Sequence, residues 1–201
     1  YDRATFGTRL TGSLKIRLAG AHNVRNALAA AAVATALGVD TAAIAAALAE
    51  YQGARRRFEL KGEAAGVVVI DDYAHHPTEV RATLDAARMR FPERRLVVYL
   101  QPHTFSRTRA LLDSWVDAFE MADVVRVGDI YAARETGDPH ADSLMLAGRI
   151  AHADVQPAGD VRQAADTLMA ILRSGDVLLT LGAGDSHRVG ELVVERLASR
   201  N

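Results

Sequence analysis

The sequence predicts an α/β protein whose larger part is a doubly wound, mostly parallel sheet, preceded by a hairpin and two helices. Three observations carry this. Downstream of residue 58, short apolar runs (67–70, 96–100, 124–127 and 177–181) recur between stretches of helical spacing, the signature of parallel strands joined by helices. Upstream, that alternation is missing and alanine dominates at helical spacing. The composition, 49% hydrophobic and 24% charged over 201 residues, is that of a packed soluble chain.

The elements follow in order. Residues 1–18 read as two short strands around Gly7 and Thr11-Gly12-Ser13, with Leu14, Ile16 and Leu18 alternating on one face. A lone hairpin feeding a helix reads as the tail of a domain whose body lies upstream. Residues 23–37 form an alanine-rich helix stopped by Gly38, and Asp40 caps a second helix over 41–51. After Arg55-Arg56-Arg57 come strands 58–64 and 67–70, a helix over 77–90 with proline in its first turn, and a buried strand 96–100. A helix over 106–121, strand 124–127, helix 143–151, a short strand near Val155, helix 161–172, strand 177–181 and a helix after Gly184 complete the series. The pattern divides the chain into residues 1–64 and a Rossmann-like block, 65–201. In such sheets, ligands sit at the carboxyl ends of the strands.

Composition narrows the function. A formal net charge of -1 supplies no broad positive field for nucleic acid or an anionic membrane, so neither is expected as a partner. No apolar run approaches the ~20 residues of a spanning helix. The absence of cysteine excludes disulfides and thiolate chemistry and fits a cytoplasmic enzyme. Only Lys15 and Lys61 among the 24 basic residues are lysine, a bias that says little about anion recognition.

Four clusters could carry chemistry. In Gly20-Ala21-His22-Asn23-Val24-Arg25-Asn26, Asn23 and Asn26 share one face of the first helical turn. They could present amides to a purine edge or simply cap the helix. Arg55-Arg56-Arg57 could grip a phosphate or form a solvated linker. In Asp71-Asp72-Tyr73-Ala74-His75-His76-Pro77-Thr78-Glu79, carboxylates and imidazoles lie between a strand and a helix. An aspartate there can accept from ribose hydroxyls. A metal site is the rival reading, although a bare His-His pair lacks ligand spacing. Gln101-Pro102-His103-Thr104-Phe105-Ser106-Arg107 also follows a strand and opens a helix, with Arg107 placed to hold a carboxylate. Gly182-Ala183-Gly184-Asp185 reads as a tight turn near the site, since His187 replaces the third glycine of a dinucleotide fingerprint.

Taken in this order, the clusters resemble the Mur ligase family along nearly the whole chain. Gly20 to Asn26 with Ala29 and Ala30 resembles the segment closing the family's central ATPase domain. Arg57-Phe58-Glu59 resembles its junction with the C-terminal domain. The segments 71–79 and 101–108 are most similar to those of members that join L-alanine to UDP-N-acetylmuramate. The resemblance implies that residues 1–64 close the central domain and 65–201 form the C-terminal domain. It implies ATP with Mg2+ as cofactors and an amide-forming reaction through an acyl phosphate. His22, Asn23 and Asn26 would contact adenine, Arg57 the phosphates and Asp72 the ribose. Tyr73, His75, His103 and Arg107 would line the site where L-alanine meets the muramyl lactate, with Arg57, His75, His103 and Arg107 serving catalysis.

Two departures qualify the likeness. Family members often carry arginine directly after the histidine of the 102–107 segment, whereas this chain has Thr104, which leaves Arg107 as the carboxylate ligand. No glycine-rich loop ending in Gly-Lys-Ser/Thr occurs. That loop, the metal ligands and a UDP-binding domain are expected upstream of Tyr1, in the same polypeptide, so residues 1–201 alone are expected not to turn over. The alternatives are the family's murein tripeptide ligase and a nonenzymatic nucleotide-binding module, since fold alone does not decide function.

Overall fold

The computed structural model describes residues 4–6, 10–18, 20–51, 53–138 and 141–199, with the side chains of residues 4–6, 10–12 and His22 outside the description. The chain forms two compact units, residues 1–54 and 55–201. In the first, strands β1 (Ala4–Phe6) and β2 (Leu10–Gly12) pair antiparallel, and helices α1 (Ala21–Ala36) and α2 (Thr41–Glu50) touch each other. Asp40 caps α2 by accepting from the amides of Ala42 and Ala43. Gly38 ends α1 at φ +80°, as the stop signal requires. Residues 14–18, expected to extend the hairpin, are not strand, since no strand among the described residues pairs with them.

The second unit is one six-stranded sheet: β3 (Glu59–Ala64), β4 (Val67–Asp72), β5 (Leu96–Leu100), β6 (Val124–Gly128), β7 (Val155–Gly159) and β8 (Val177–Leu181). Their spatial order is β3-β4-β8-β5-β6-β7. Only β3 runs antiparallel to its neighbour. Because β3 pairs with β4, residues 55–64 belong to this unit. The sequence pattern had grouped them with the first block, since a pairing across a turn leaves no mark in apolar periodicity.

Side-chain alternation along the strands builds two cores. Val68, Ile70, Val98, Leu100 and Leu179 face helices α3 (Pro77–Arg90) and α5 (Ser143–Arg149). Val67, Val69, Val97, Tyr99 and Leu178 face α6 (Val161–Ile171) and α7 (His187–Ala198). The helix expected over 106–121 is instead α4 (Phe105–Ala110) followed by a 3-10 turn, Leu112–Trp115. From Leu111 onward the backbone bonds are i to i+3, as in Ser114 N–H to Leu111 O and Ala118 N–H to Trp115 O. This tighter winding accompanies the stacking of Trp115 on Phe119, ring centroids 6.0 Å apart, against the sheet. α5 also stops at Arg149 rather than running to residue 151.

Candidate active site

The strand order places β8 between β4 and β5, so three carboxyl-terminal loops converge. The loop after β6 joins them through a bridge between His103 and Tyr131. This is where a doubly wound sheet binds ligands.

Successive residues of an extended strand point to opposite faces, and this separates the two adjacent aspartates. Asp71, fully buried, accepts from Arg56 Nε at 2.9 Å and from Thr180 Oγ1 at 2.8 Å. The Arg56 guanidinium also donates to Gly182 O (2.6 Å), Gly184 O (2.8 Å) and Ser186 Oγ (2.9 Å). Arg56 thus clamps the segment before β3 onto β4 and the turn after β8. That turn is the tight one expected from its glycines, with Gly182 at φ +151°.

Asp72, buried on the other face, accepts the amides of Phe58 (2.7 Å) and Ala74 (2.8 Å), one on each carboxylate oxygen. Burial raises its pKa above the usual carboxylate value, against the lowering by those two amides and Arg57. Both oxygens are therefore engaged, an arrangement the sequence pattern did not reveal. Of the three arginines, Arg55 and Arg57 stay exposed, the Arg57 guanidinium 5.6 Å from the Tyr73 ring centre. Arg56 lies 5.1 Å from the same ring.

Rings then run across the loops. Tyr73 meets His75 edge-on at 5.4 Å, His75 lies 5.7 Å from His103, and His103 stacks on Tyr131 at 5.6 Å. The two neighbouring histidines do different work. His76 caps α3 through a bond from Thr78 N–H, with Glu79 completing the capping box. His75 Nδ1 lies 2.9 Å from Tyr73 O and 3.4 Å from Glu79 Oε2. His103 Nδ1 is buried without a partner. Burial, with the neighbouring His75 and Arg107, lowers the pKa of His103 below the ordinary imidazole value, so the ring is neutral at pH 7.

Arg107 is exposed on α4 and its guanidinium has no hydrogen-bond partner among the described residues, whereas Arg109 pairs with Asp138. Thr104 sits before α4 at φ +63°. Its amide donates to Tyr131 O, and the Tyr131 amide donates to Pro102 O. Glu135 reaches α4 from the loop after β6, accepting from both the amide and the hydroxyl of Ser106.

The second unit therefore brings together Arg57, Tyr73, His75, His103 and Arg107, with Asp72 beneath them. Asn23 and Asn26 lie in the first turns of α1 in the other unit, where Gly20 occupies the cap position and no side-chain cap bond forms. The side chain of His22 lies outside the described residues. Tyr131 and Glu135 were missed by sequence reasoning. Their one signal is position, just past the carboxyl end of the buried strand β6. Among the described residues, no group of three or more histidines or acids is placed to hold a metal ion. No described helix is long and apolar enough to cross a membrane.

A mostly parallel α/β sheet with a polar site at its switch point defines a ligand-binding domain, and comparison with known proteins makes the class specific. Residues 56–184 match the family model described as Mur ligase, glutamate ligase domain. The chain is 68% identical over 201 residues to a Roseiflexus sp. (strain RS-1) protein named UDP-N-acetylmuramate-L-alanine ligase, a match covering 100% of this chain and 43% of that protein. The crystal structure of UDP-N-acetylmuramate-alanine ligase MurC from Thermotoga maritima superposes with a TM-score of 0.81 at 30% identity, covering 97% of this chain and 42% of that one. A murein peptide ligase from Psychrobacter arcticus 273-4 gives 0.70 at 26%, covering 96% and 40%. The chain belongs to the Mur ligase family. It spans about two fifths of the length of the curated relatives it matches.

Proposed function

We propose that this chain supplies the amino-acid site, and part of the nucleotide site, of an ATP-dependent ligase that joins L-alanine to UDP-N-acetylmuramate during peptidoglycan precursor synthesis. The observation that carries the reading is the Tyr73-His75-His103 row beside the unpartnered guanidinium of Arg107. The 68% identity to a protein of that name supports it, as does the better superposition on the L-alanine ligase than on the murein peptide ligase.

L-alanine is a zwitterion with little apolar surface, so its recognition rests mainly on its carboxylate. Arg107 is the fixed cation for it. The imidazole of His103, held neutral by its burial, can accept from the ammonium group or hold it while a proton leaves, with the His75 ring beside it, and Tyr73 closes the side of the site. Arg57, exposed and beside Tyr73, fits a phosphate-contacting role, since its charge is not consumed internally. ATP with Mg2+ would supply the activation of the lactyl carboxylate. The residues of this chain bind and orient the amine that attacks the activated carbonyl, which expels phosphate. His22, Asn23 and Asn26 remain the proposed adenine contacts. Asp72 would reach ribose only by accepting further bonds on oxygens that each already take an amide.

The test is a pair of saturation curves, in L-alanine and in ATP, on the full-length protein and its Arg107→Ala variant. The expected result is a fall of roughly 10- to 100-fold in kcat/KM for L-alanine, the ~1.5 to 3 kcal/mol of a charge-assisted hydrogen bond, with ATP saturation unchanged. An unmoved L-alanine curve, or equal shifts in both, refutes the role of Arg107. Joining of murein tripeptide in place of L-alanine refutes the substrate.

A further inference from the structure

A histidine that works at a site is usually oriented by a hydrogen bond on the nitrogen that faces away from the ligand. His103 has none: Nδ1 is buried and unpartnered, and neither ring nitrogen finds a partner among the described residues. Its ring must be held by packing. On one side stands His75, at 5.7 Å and tilted by 58°. On the other lies Tyr131, nearly parallel at 21° with centroids 5.6 Å apart.

Tyr131 is itself held on three counts. Its amide donates to Pro102 O at 2.8 Å and its carbonyl accepts from Thr104 N–H at 2.9 Å, so the main chain on both sides of His103 is tied to this one residue. Its ring lies over Gly184, where a Cβ would stand 2.5 Å from the Tyr131 Cγ and 2.6 Å from Gln101 Oε1. Only glycine leaves room for that ring, which links the turn after β8 to the orientation of His103.

We propose that Tyr131 is a positioning residue, its ring held between Gly184 and His103 so that the His103 imidazole is fixed against His75 in the orientation the amino-acid substrate meets. This rests on reading the site as an amino-acid site. The phenol hydroxyl plays no part: the ring face does the holding, so phenylalanine should serve as well. Tyr131 is 38% exposed, so shortening it opens no buried cavity and the fold should persist.

The test has two arms, with Tyr131→Phe and Tyr131→Leu beside the parent. In the 201-residue chain, NMR titration follows the His103 ring. The groups acting on that ring, His75, Arg107 and Glu135, are untouched by either substitution. Since burial is what lowers the pKa of His103, removing the aromatic cover admits water and favours the charged form. The midpoint should rise toward the ordinary value in Tyr131→Leu and stay put in Tyr131→Phe. In the full-length protein, Tyr131→Leu should raise the KM for L-alanine about tenfold, as a misplaced contact does, leave the KM for ATP alone, and be rescued by phenylalanine. An unmoved His103 midpoint in Tyr131→Leu overturns the proposal, and so does a phenylalanine variant as impaired as the leucine one. Should Tyr131→Leu fail to fold, Gly184→Ala, which pushes the ring from the other side, must shift the His103 resonances or the proposal falls. A moved midpoint in a protein that never uses L-alanine retires the amino-acid reading and keeps Tyr131 as the residue that positions His103.

Discussion

The carboxyl end of β4 and the carboxyl end of β5 are neighbours in one sheet, yet they treat polar atoms in opposite ways. At β4, the Arg56 guanidinium meets four acceptors, Asp71 takes bonds from Arg56 and Thr180, and both oxygens of Asp72 are engaged by amides. At β5, Gln101 donates to Asp185 while its Oε1 is buried without a partner, and His103 Nδ1 is likewise buried and alone. Buried polar groups are normally satisfied. Full internal satisfaction marks Arg56, Asp71 and Asp72 at the first corner as scaffold, whereas the orphaned atoms and the unpaired guanidinium of Arg107 at the second leave polar groups open, consistent with the proposed amino-acid site.

The largest expected effect breaks the scaffold corner. Arg56→Ala would strand the fully buried Asp71 carboxylate and two carbonyls. Losing one partner of a buried pair costs about 3 to 5 kcal/mol, read as a fall in the denaturant midpoint of the 201-residue chain. Arg56→Lys should recover only part, because one ammonium cannot match a planar fork with four acceptors. A cost below about 1 kcal/mol would place Arg56 with ordinary surface pairs and erase the distinction between the corners.

This contrast also shows what the sequence could disclose. The strands β5 and β8 and the helix α3 occur where their apolar runs and proline start were read, because burial on both sheet faces and capping are local signals. The motifs were equally legible as groups. Their division of labour was not: Arg55, Arg56 and Arg57 are indistinguishable in a string, and only the backbone path at Arg56, φ +58°, turns one guanidinium inward and leaves Arg57 out. Tyr131 escaped notice for a related reason. It reaches the site from the third strand loop along the chain, and no spacing rule connects residue 131 with residue 103.

A smaller effect sharpens the comparison through pH. In Asp72→Asn, the single amide oxygen can accept from Phe58 or Ala74 but not serve both in the observed way, and its NH2 would face a second donor. An unmade bond to a buried donor costs about 1 to 3 kcal/mol. Because burial raises the folded pKa of Asp72, its titration contributes stability that is full below the unfolded carboxylate value of about 3.9 and is lost as pH rises through the folded value. The stability gap between parent and variant should therefore be widest in acid and narrow toward neutrality. A gap that widens with pH would mean that the two amides outweigh burial and hold Asp72 ionised, the better state for a ribose acceptor.

The smallest effect has the opposite sign and belongs to the β5 corner. Thr104 adopts φ +63° and ψ +142°, a conformation that a Cβ, and a branched one above all, disfavours. The conformation is imposed from outside: the Thr104 amide is drawn to Tyr131 O, and its carbonyl accepts both the amide and the hydroxyl of Thr108. Such strain is worth about 1 to 3 kcal/mol, and replacing the residue by glycine returns it less the ~0.5 to 1 kcal/mol that glycine loses in chain entropy. Thr104→Gly should thus stabilise the 201-residue chain by about 1 kcal/mol. Thr104→Ala is the necessary companion, because it removes the hydroxyl but keeps the Cβ. If strain is the cause, alanine brings no gain and glycine does, as measured by the two denaturant midpoints. Equal midpoints for the two variants would mean that the hydroxyl and its bond to Glu135, rather than the backbone, set the balance there. A gain confined to glycine would show that the site corner holds His103 and Arg107 in place at a cost in stability, while the Arg56 corner beside it supplies the rigidity that lets such a conformation persist.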